Sequence, residues 1–176
     1  MKQIKYIMIY FFCFLYADKL LIPMDLTQTD HLKAYGITFW SLEKGRNVDW
    51  LLNYKGGSFM MDNTPSIQSE CLIRGVKFEL IDANQLANIL STISNNNMDI
   101  VLLETVPKIA VYSPPGKLPW DDAVTLALTY AEVDYDVIFD SEILSGEINQ
   151  YDWLHLHHED FTGQYGKFYK SHRNSS

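Results

Sequence analysis

Residues 48–81 read VDWLLNYKGGSFMMDNTPSIQSECLIRGVKFELI, and the way this stretch divides into strands and helices decides the fold. Val48, Trp50, Leu52 and Tyr54 recur at every second position, the period of a strand with one apolar face. Lys55-Gly56-Gly57-Ser58 then reads as a loop. Thr64 and Pro65 form an N-cap and first-turn pair, so they predict a helix that runs until Gly75. Residues 76–81 are the next strand. The order is strand, loop, helix, strand.

The same order extends in both directions. Upstream, Asp30 is placed to cap a helix on which Leu32, Tyr35, Phe39 and Leu42 recur at helical spacing until Gly45, a packing helix rather than a site. Downstream, Asp82 and Gln85 have capping-box spacing for a helix through Ile93, the Asn95-Asn96-Asn97 run breaks it, and 100–103 is a strand. A second pass comes next: a strand over 109–112, the loop PPGKLPW, a helix capped by Asp121, a strand over 135–139, a short helix over 141–144 and a strand over 151–157. On the helix after Asp121 the polar positions Thr125, Thr129 and Glu132 form a narrow stripe, so the rest of its surface is expected to be buried.

Strands alternating with helices predict an α/β fold with a mainly parallel, flavodoxin-like sheet covered by helices on both faces. The expected organisation is an N-terminal segment with its helix over 18–45, one βαβαβ unit over 46–106, a second over 107–169, and a polar tail over 170–176.

At 176 residues, with 47% hydrophobic and 20% charged residues, the chain is long enough to bury a core. Residues 1–17 stand apart. Lys2 and Lys5 precede an unbroken apolar run, shorter than the roughly 20 residues a membrane span needs, and small Ala17 ends it. This reads as a secretory signal peptide, with an uncleaved membrane anchor as the alternative, and it predicts an exported protein of the periplasm or cell envelope. Cleavage after Ala17 removes two lysines and no acid, taking the net charge from −8 to −10. Such a surface repels nucleic acid. Cys71 alone would remain, so no disulfide can form within the mature chain, and its place in a predicted helix reads as a small buried apolar residue.

Ligands of open α/β sheets sit beyond the carboxyl ends of the strands, which directs attention to three loops. Lys55-Gly56-Gly57-Ser58 has two glycines and a cation but no phosphate-loop pattern, and reads as a turn. The loop after 109–112 carries Lys117 and Trp120. It sits where a phosphate loop belongs, yet three prolines remove amide donors, so a rigid loop that seats Trp120 competes with an anion site. The third, 151–169, reads YDWLHLHHEDFTGQYGKFY. In a strand His155 and His157 share a face with Trp153, while Leu154 and Leu156 point the other way. His155 and His157 can share a metal completed by His158, Glu159 or Asp160, or act with Glu159 as acid and base near neutral pH. Otherwise His155 is a hydrogen-bonded core residue, and Glu159 and Asp160 cap the segment after them. Gln164 belongs to a loop able to cross that site. No motif requires a cofactor.

Four segments carry a family resemblance: HLKAYGITFWSLEKG, WLLNYKGGSF, PKIAVYSPPGKLPWDDAVTLALTYAEVDYDVIFD and YDWLHLHHEDFTGQYGKFY. They resemble exported bacterial proteins commonly labelled asparagine synthetase B, a family similar in its second half to class I glutamine amidotransferases. The resemblance implies that this chain is a truncated N-terminal portion, short of the family's nucleophile cysteine, with a class I amidotransferase-like sheet. A glutamine-hydrolysing asparagine synthetase also needs a cysteine exposed after Met1 and a Ser-Gly-Gly-x-Asp-Ser loop. Here Lys2 and Lys55-Gly56-Gly57-Ser58-Phe59 stand instead.

The expectation is an amidotransferase-like protein acting in amide hydrolysis or transfer on a small molecule, with His155, His157 and Glu159 at its centre. A non-catalytic module holding an envelope ligand on Trp120, Trp153, Phe161 and Tyr165 is the alternative. A sheet left with an open edge is expected to self-associate.

Overall fold

The Lys19–Ile22 segment KLLI is apolar on both of its faces, which suits a strand with helices above and below it. The computed structural model describes residues 18–113 and 123–156. In it this first strand, β1, lies inside a five-stranded sheet, sheet A, followed by α1 (His31–Glu43), β2 (Val48–Leu52), β3 (Ser58–Asp62), α2 (Pro65–Arg74), β4 (Glu79–Ile81), α3 (Ala83–Asn95) and β5 (Asp99–Leu103). The strand order is β4-β1-β3-β2-β5, every pair antiparallel. Up to β4 this is the split βαββαβ pattern of ferredoxin-like folds, with α3 and β5 added.

Two strands absent from the sequence reading account for the change from a mainly parallel sheet. β3 pairs with β2 as a hairpin, Trp50 opposite Phe59, and that reversal inverts the direction of everything after it. The crossover expected around α2 exists but starts from β3, a second, unexpected one joins β1 to β2 through α1, and each is split. β3 lies between β1 and β2, and β1 lies between β3 and β4. The segment before α1 is therefore a central strand of this sheet.

Both faces of the sheet are covered. Leu20, Ile22, Val48, Phe59 and Met61 meet Ala34 and Ile37 of α1 and Ile67 and Cys71 of α2. Leu21, Leu51 and Met60 meet Ile89 and Ile93 of α3 on the other side. The local signals are those of the sequence. Asp30 Oδ1 accepts from the Lys33 amide at 2.9 Å, Thr64 caps α2 ahead of Pro65, and Asp82 and Gln85 close a capping box on α3. Of the apolar stripe expected on α1, Leu42 is buried and Phe39 half-buried, while the rest of the buried face is made by mostly smaller residues. Ala34, Gly36, Ile37 and Ser41 are buried while Leu32 and Tyr35 are exposed, because the small residues let α1 approach its neighbours closely.

Sheet B is separate and parallel. It contains β6 (Ile109–Tyr112), β7 (Asp136–Ile138) and β8 (Trp153–Leu156) in the order β7-β6-β8, with α4 (Ala123–Ala131) and α5 (Asp140–Leu144) between them. The α/β class holds, with the parallel part confined to this half. On α4 the expected polar stripe is exposed at Thr129 and, just past the helix, Glu132, but Thr125 is buried and Leu126 and Tyr130 are half exposed. The cause is the seat of α4 on α1. A Cβ at Gly36 would lie 1.8 Å from the Ala131 carbonyl oxygen, so only glycine admits that approach.

Charges pin the same junction. Lys33 Nζ lies 2.6 Å from Glu132 Oε1. Arg74 Nη1 lies 3.2 Å from Glu132 Oε2, an ion contact off the hydrogen-bond direction. Tyr130 donates to Asp30 Oδ2. The Lys33 bond, followed by partial burial acting the other way and then the Arg74 charge, leaves the Glu132 carboxyl below its ordinary value. For Asp30, burial works upward but is outweighed by the Lys33 amide and the Tyr130 hydroxyl.

Candidate functional site

Parallel strands gather their carboxyl ends on one edge, and sheet B does this with β6 in the centre. From β6 the chain goes to β7 on one side, then crosses back to β8 on the other. The ends of β6 and β8 therefore border a topological switch point. Their register is Tyr112 opposite Leu156, so the two strands finish level.

The residues at this edge are held from the β7 side. Ser113 donates its amide to the Ile138 carbonyl at 3.0 Å, prolonging the ladder by one residue. Tyr112 Oη donates to Asp140 Oδ1 at 2.9 Å, and its ring lies 5.2 Å from that of Phe139. Glu142 reaches back to accept from the Phe139 amide at 2.9 Å and from Ser141 Oγ at 2.8 Å. Those two donors, the amide first, hold the Glu142 carboxyl below its ordinary value.

His155 lies in β8, half buried, opposite Val111, with Trp153 two residues earlier opposite Ile109. Ile109 and Val111 pack on Leu128 of α4, so Trp153 and His155 share the α4 side of the sheet, as the alternation predicts. Lys117, Trp120, His157, His158, Glu159, Asp160 and Gln164 lie outside the described residues, as do 1–17. Among the described residues no group of three or more His, Cys, Asp or Glu side chains is arranged to hold a metal, and no helix is long and apolar enough to cross a membrane.

The loop at Lys55-Gly56-Gly57-Ser58 is a hairpin turn. Lys55, Gly56 and Gly57 all have positive φ, and Lys55 Nζ bonds Glu79 at 2.6 and 2.8 Å. A Cβ on Gly56 would lie 2.4 Å from the Met24 carbonyl oxygen, so the glycine serves close packing on β1's exit. Cys71 is buried, and burial pushes its thiol up to about 12, which leaves it a small apolar filler.

Two cavities flank the seam between the sheets. One, of about 320 Å³, is walled almost wholly by apolar atoms from Tyr35, Phe39, Trp50, Phe59, Leu128 and Trp153 among others. Its neighbour, of about 370 Å³, shares Phe39 and Ile109 but carries Glu43 from the end of α1 and Lys108, Asp134 and Asp136 at the amino ends of β6 and β7. Sequence reading missed Ser113. Its one signal was a polar residue closing an apolar strand just before the proline-rich loop.

No family model and no curated protein matches the chain. A solved structure, a formyltetrahydrofolate deformylase from Pseudomonas putida KT2440, aligns at 13% identity and a TM-score of 0.20, over 89% of this chain and 55% of that one. The chain thus spans about half the length of that protein. A likeness at that level carries no argument about function, and none of these comparisons bears on the asparagine synthetase B resemblance.

Proposed function

We propose that the chain is the N-terminal portion of an exported amidotransferase-like protein, which holds a small amide at the carboxyl edge of sheet B for hydrolysis or transfer. His155, His157 and Glu159 are its acid and base groups. The observation that supports this reading is the level pairing of β6 and β8 at Tyr112 and Leu156. The segment with His157 and Glu159 and the loop with Lys117 and Trp120 leave from neighbouring strand ends at a switch point. The chemistry itself comes from the family resemblance and from what imidazole and carboxylate can do near neutral pH.

The test is ammonia release from L-glutamine and simple amides by the chain extended past Ser176. Replacing His157 by Ala or Glu159 by Gln is expected to lower turnover by about 100-fold, the usual contribution of a positioned acid or base. Absence of turnover, or turnover indifferent to His155→Ala, His157→Ala and Glu159→Gln alike, ends the reading.

A second reading, non-catalytic capture of an envelope ligand, has one observation in its favour: Trp153 lines the apolar cavity. It expects binding that survives loss of the histidines and fails in Trp153→Ala.

A further inference from the structure

β6 is apolar until its end. Ile109, Ala110 and Val111 are all buried, and the next residue on the Ile109 and Val111 face is Ser113, only 4% exposed. Its hydroxyl oxygen has no hydrogen-bond partner among the described residues. Its backbone is not free to turn the side chain outward, because the amide is committed to Ile138 at 3.0 Å. A buried hydroxyl left unpaired is destabilising, so such a group calls for an explanation.

Its position supplies one. Ser113 stands where the central parallel strand ends, beside the switch point, on the side of the sheet from which His155 projects off the neighbouring strand. We infer that Ser113 is a ligand-binding residue whose hydroxyl completes its hydrogen bond with a primary carboxamide held at this edge. A hydroxyl both donates and accepts, and a carboxamide offers an oxygen acceptor and two N–H donors, so one contact of either polarity satisfies both groups. The ligand class rests on the amide reading above. The assignment of Ser113 rests on its burial and its unpaired oxygen.

Two measurements on the full chain with Ser113→Ala test the inference. Without ligand, thermal unfolding of the variant is expected at the native midpoint or above it, since the change removes an unpaired polar atom. A lower midpoint means the hydroxyl is already satisfied by the fold, and overturns the inference. In calorimetry at millimolar concentration, the native chain is expected to bind L-glutamine in preference to L-glutamate. Ser113→Ala is expected to weaken glutamine binding by about tenfold or more. Undiminished glutamine binding in the variant overturns the role of Ser113 and leaves the amide reading standing. Equal binding of glutamine and glutamate overturns the carboxamide assignment. If the native chain binds neither, the amide reading falls and this inference with it.

Discussion

Sheet A and sheet B solve the same problem, burying an apolar ribbon, in opposite ways. In sheet A every neighbour runs antiparallel, and Leu20, Leu21 and Ile22 on consecutive positions are all fully buried because helices cover both faces. In sheet B three parallel strands rest on α4, and Val137 on the outer strand is 52% exposed. Antiparallel pairing scatters strand ends to both edges, whereas parallel pairing collects the carboxyl ends on one edge. The more deeply buried half is thus poorly suited to gather strand ends, and the half that gathers them is the less buried one. Deep burial and candidate chemistry lie in different parts of the chain.

The widest test of that division sets core truncations against each other. Leu20→Ala is expected to cost about 3–4 kcal/mol, as for a fully buried leucine, while Val137→Ala should stay within about 0.5 kcal/mol. Urea unfolding of both variants measures the contrast. Equal losses would mean that sheet B is buried as deeply as sheet A.

The next effect concerns the seam. Gly36→Ala forces a methyl against the Ala131 carbonyl, and the backbone on both sides leaves little room to yield. Alanine's helix preference opposes the clash, and the net cost expected is about 2 kcal/mol. Hydrogen exchange should speed up in α4 before it does in β1 or β3. A uniform rise across both halves would show that they unfold together.

Cys71→Ser comes third. A hydroxyl in that apolar site needs a partner the thiol did not, at an expected cost of about 1–2 kcal/mol. The native thiol should resist alkylation at mildly alkaline pH until the chain is unfolded, since its thiolate is disfavoured far beyond that range. Rapid labelling of the folded chain contradicts the packing described for α2.

The smallest effect is the pH response of the seam. The folded Glu132 value lies below its ordinary one, so its contribution is fully present above the ordinary carboxylate range and is lost as pH falls through the lowered value. Its side chain is 52% exposed, so solvent weakens the effect. Glu132→Gln should reduce the acid sensitivity of α4 exchange while leaving β1 unchanged. An unaltered profile would assign that sensitivity elsewhere.

Legibility from the residues alone divides along similar lines. Caps and crossovers are local chemistry, so Thr64-Pro65 with Gly75, Asp82 with Gln85, and the strand at Ile109–Tyr112 appear where the residues place them. β3 escaped because SFMMD is buried on both faces and has no alternation, so a continuous apolar run comes after a loop without declaring itself a strand. Its turn was hidden too. Gly56-Gly57 is a hairpin dipeptide, but Asn53 and Lys55 also take positive φ without being glycine, so the turn is longer than the two-residue form that dipeptide marks. β1 escaped for the same reason as β3. On α4 the polar stripe was legible in part: Thr129 and Glu132 are exposed as it implies, while Thr125 is buried and Leu126 and Tyr130 face outward. At the candidate site, the alternation around His155 was legible from spacing alone. The significance of Ser113 was not, because an unpaired hydroxyl is a property of its surroundings and not of its letter.

The central place of β1 in sheet A has a mechanical meaning. β1 is the first strand among the described residues, and it is hydrogen-bonded to β3 on one side and β4 on the other. A tether attached ahead of Lys19 therefore pulls on the middle of the sheet. Tension along the axis of that strand must slide two ladders past their partners at once, where the same tension on an outer strand would slide only one. Load applied ahead of Lys19 is thus shared between two ladders from the first described strand onward.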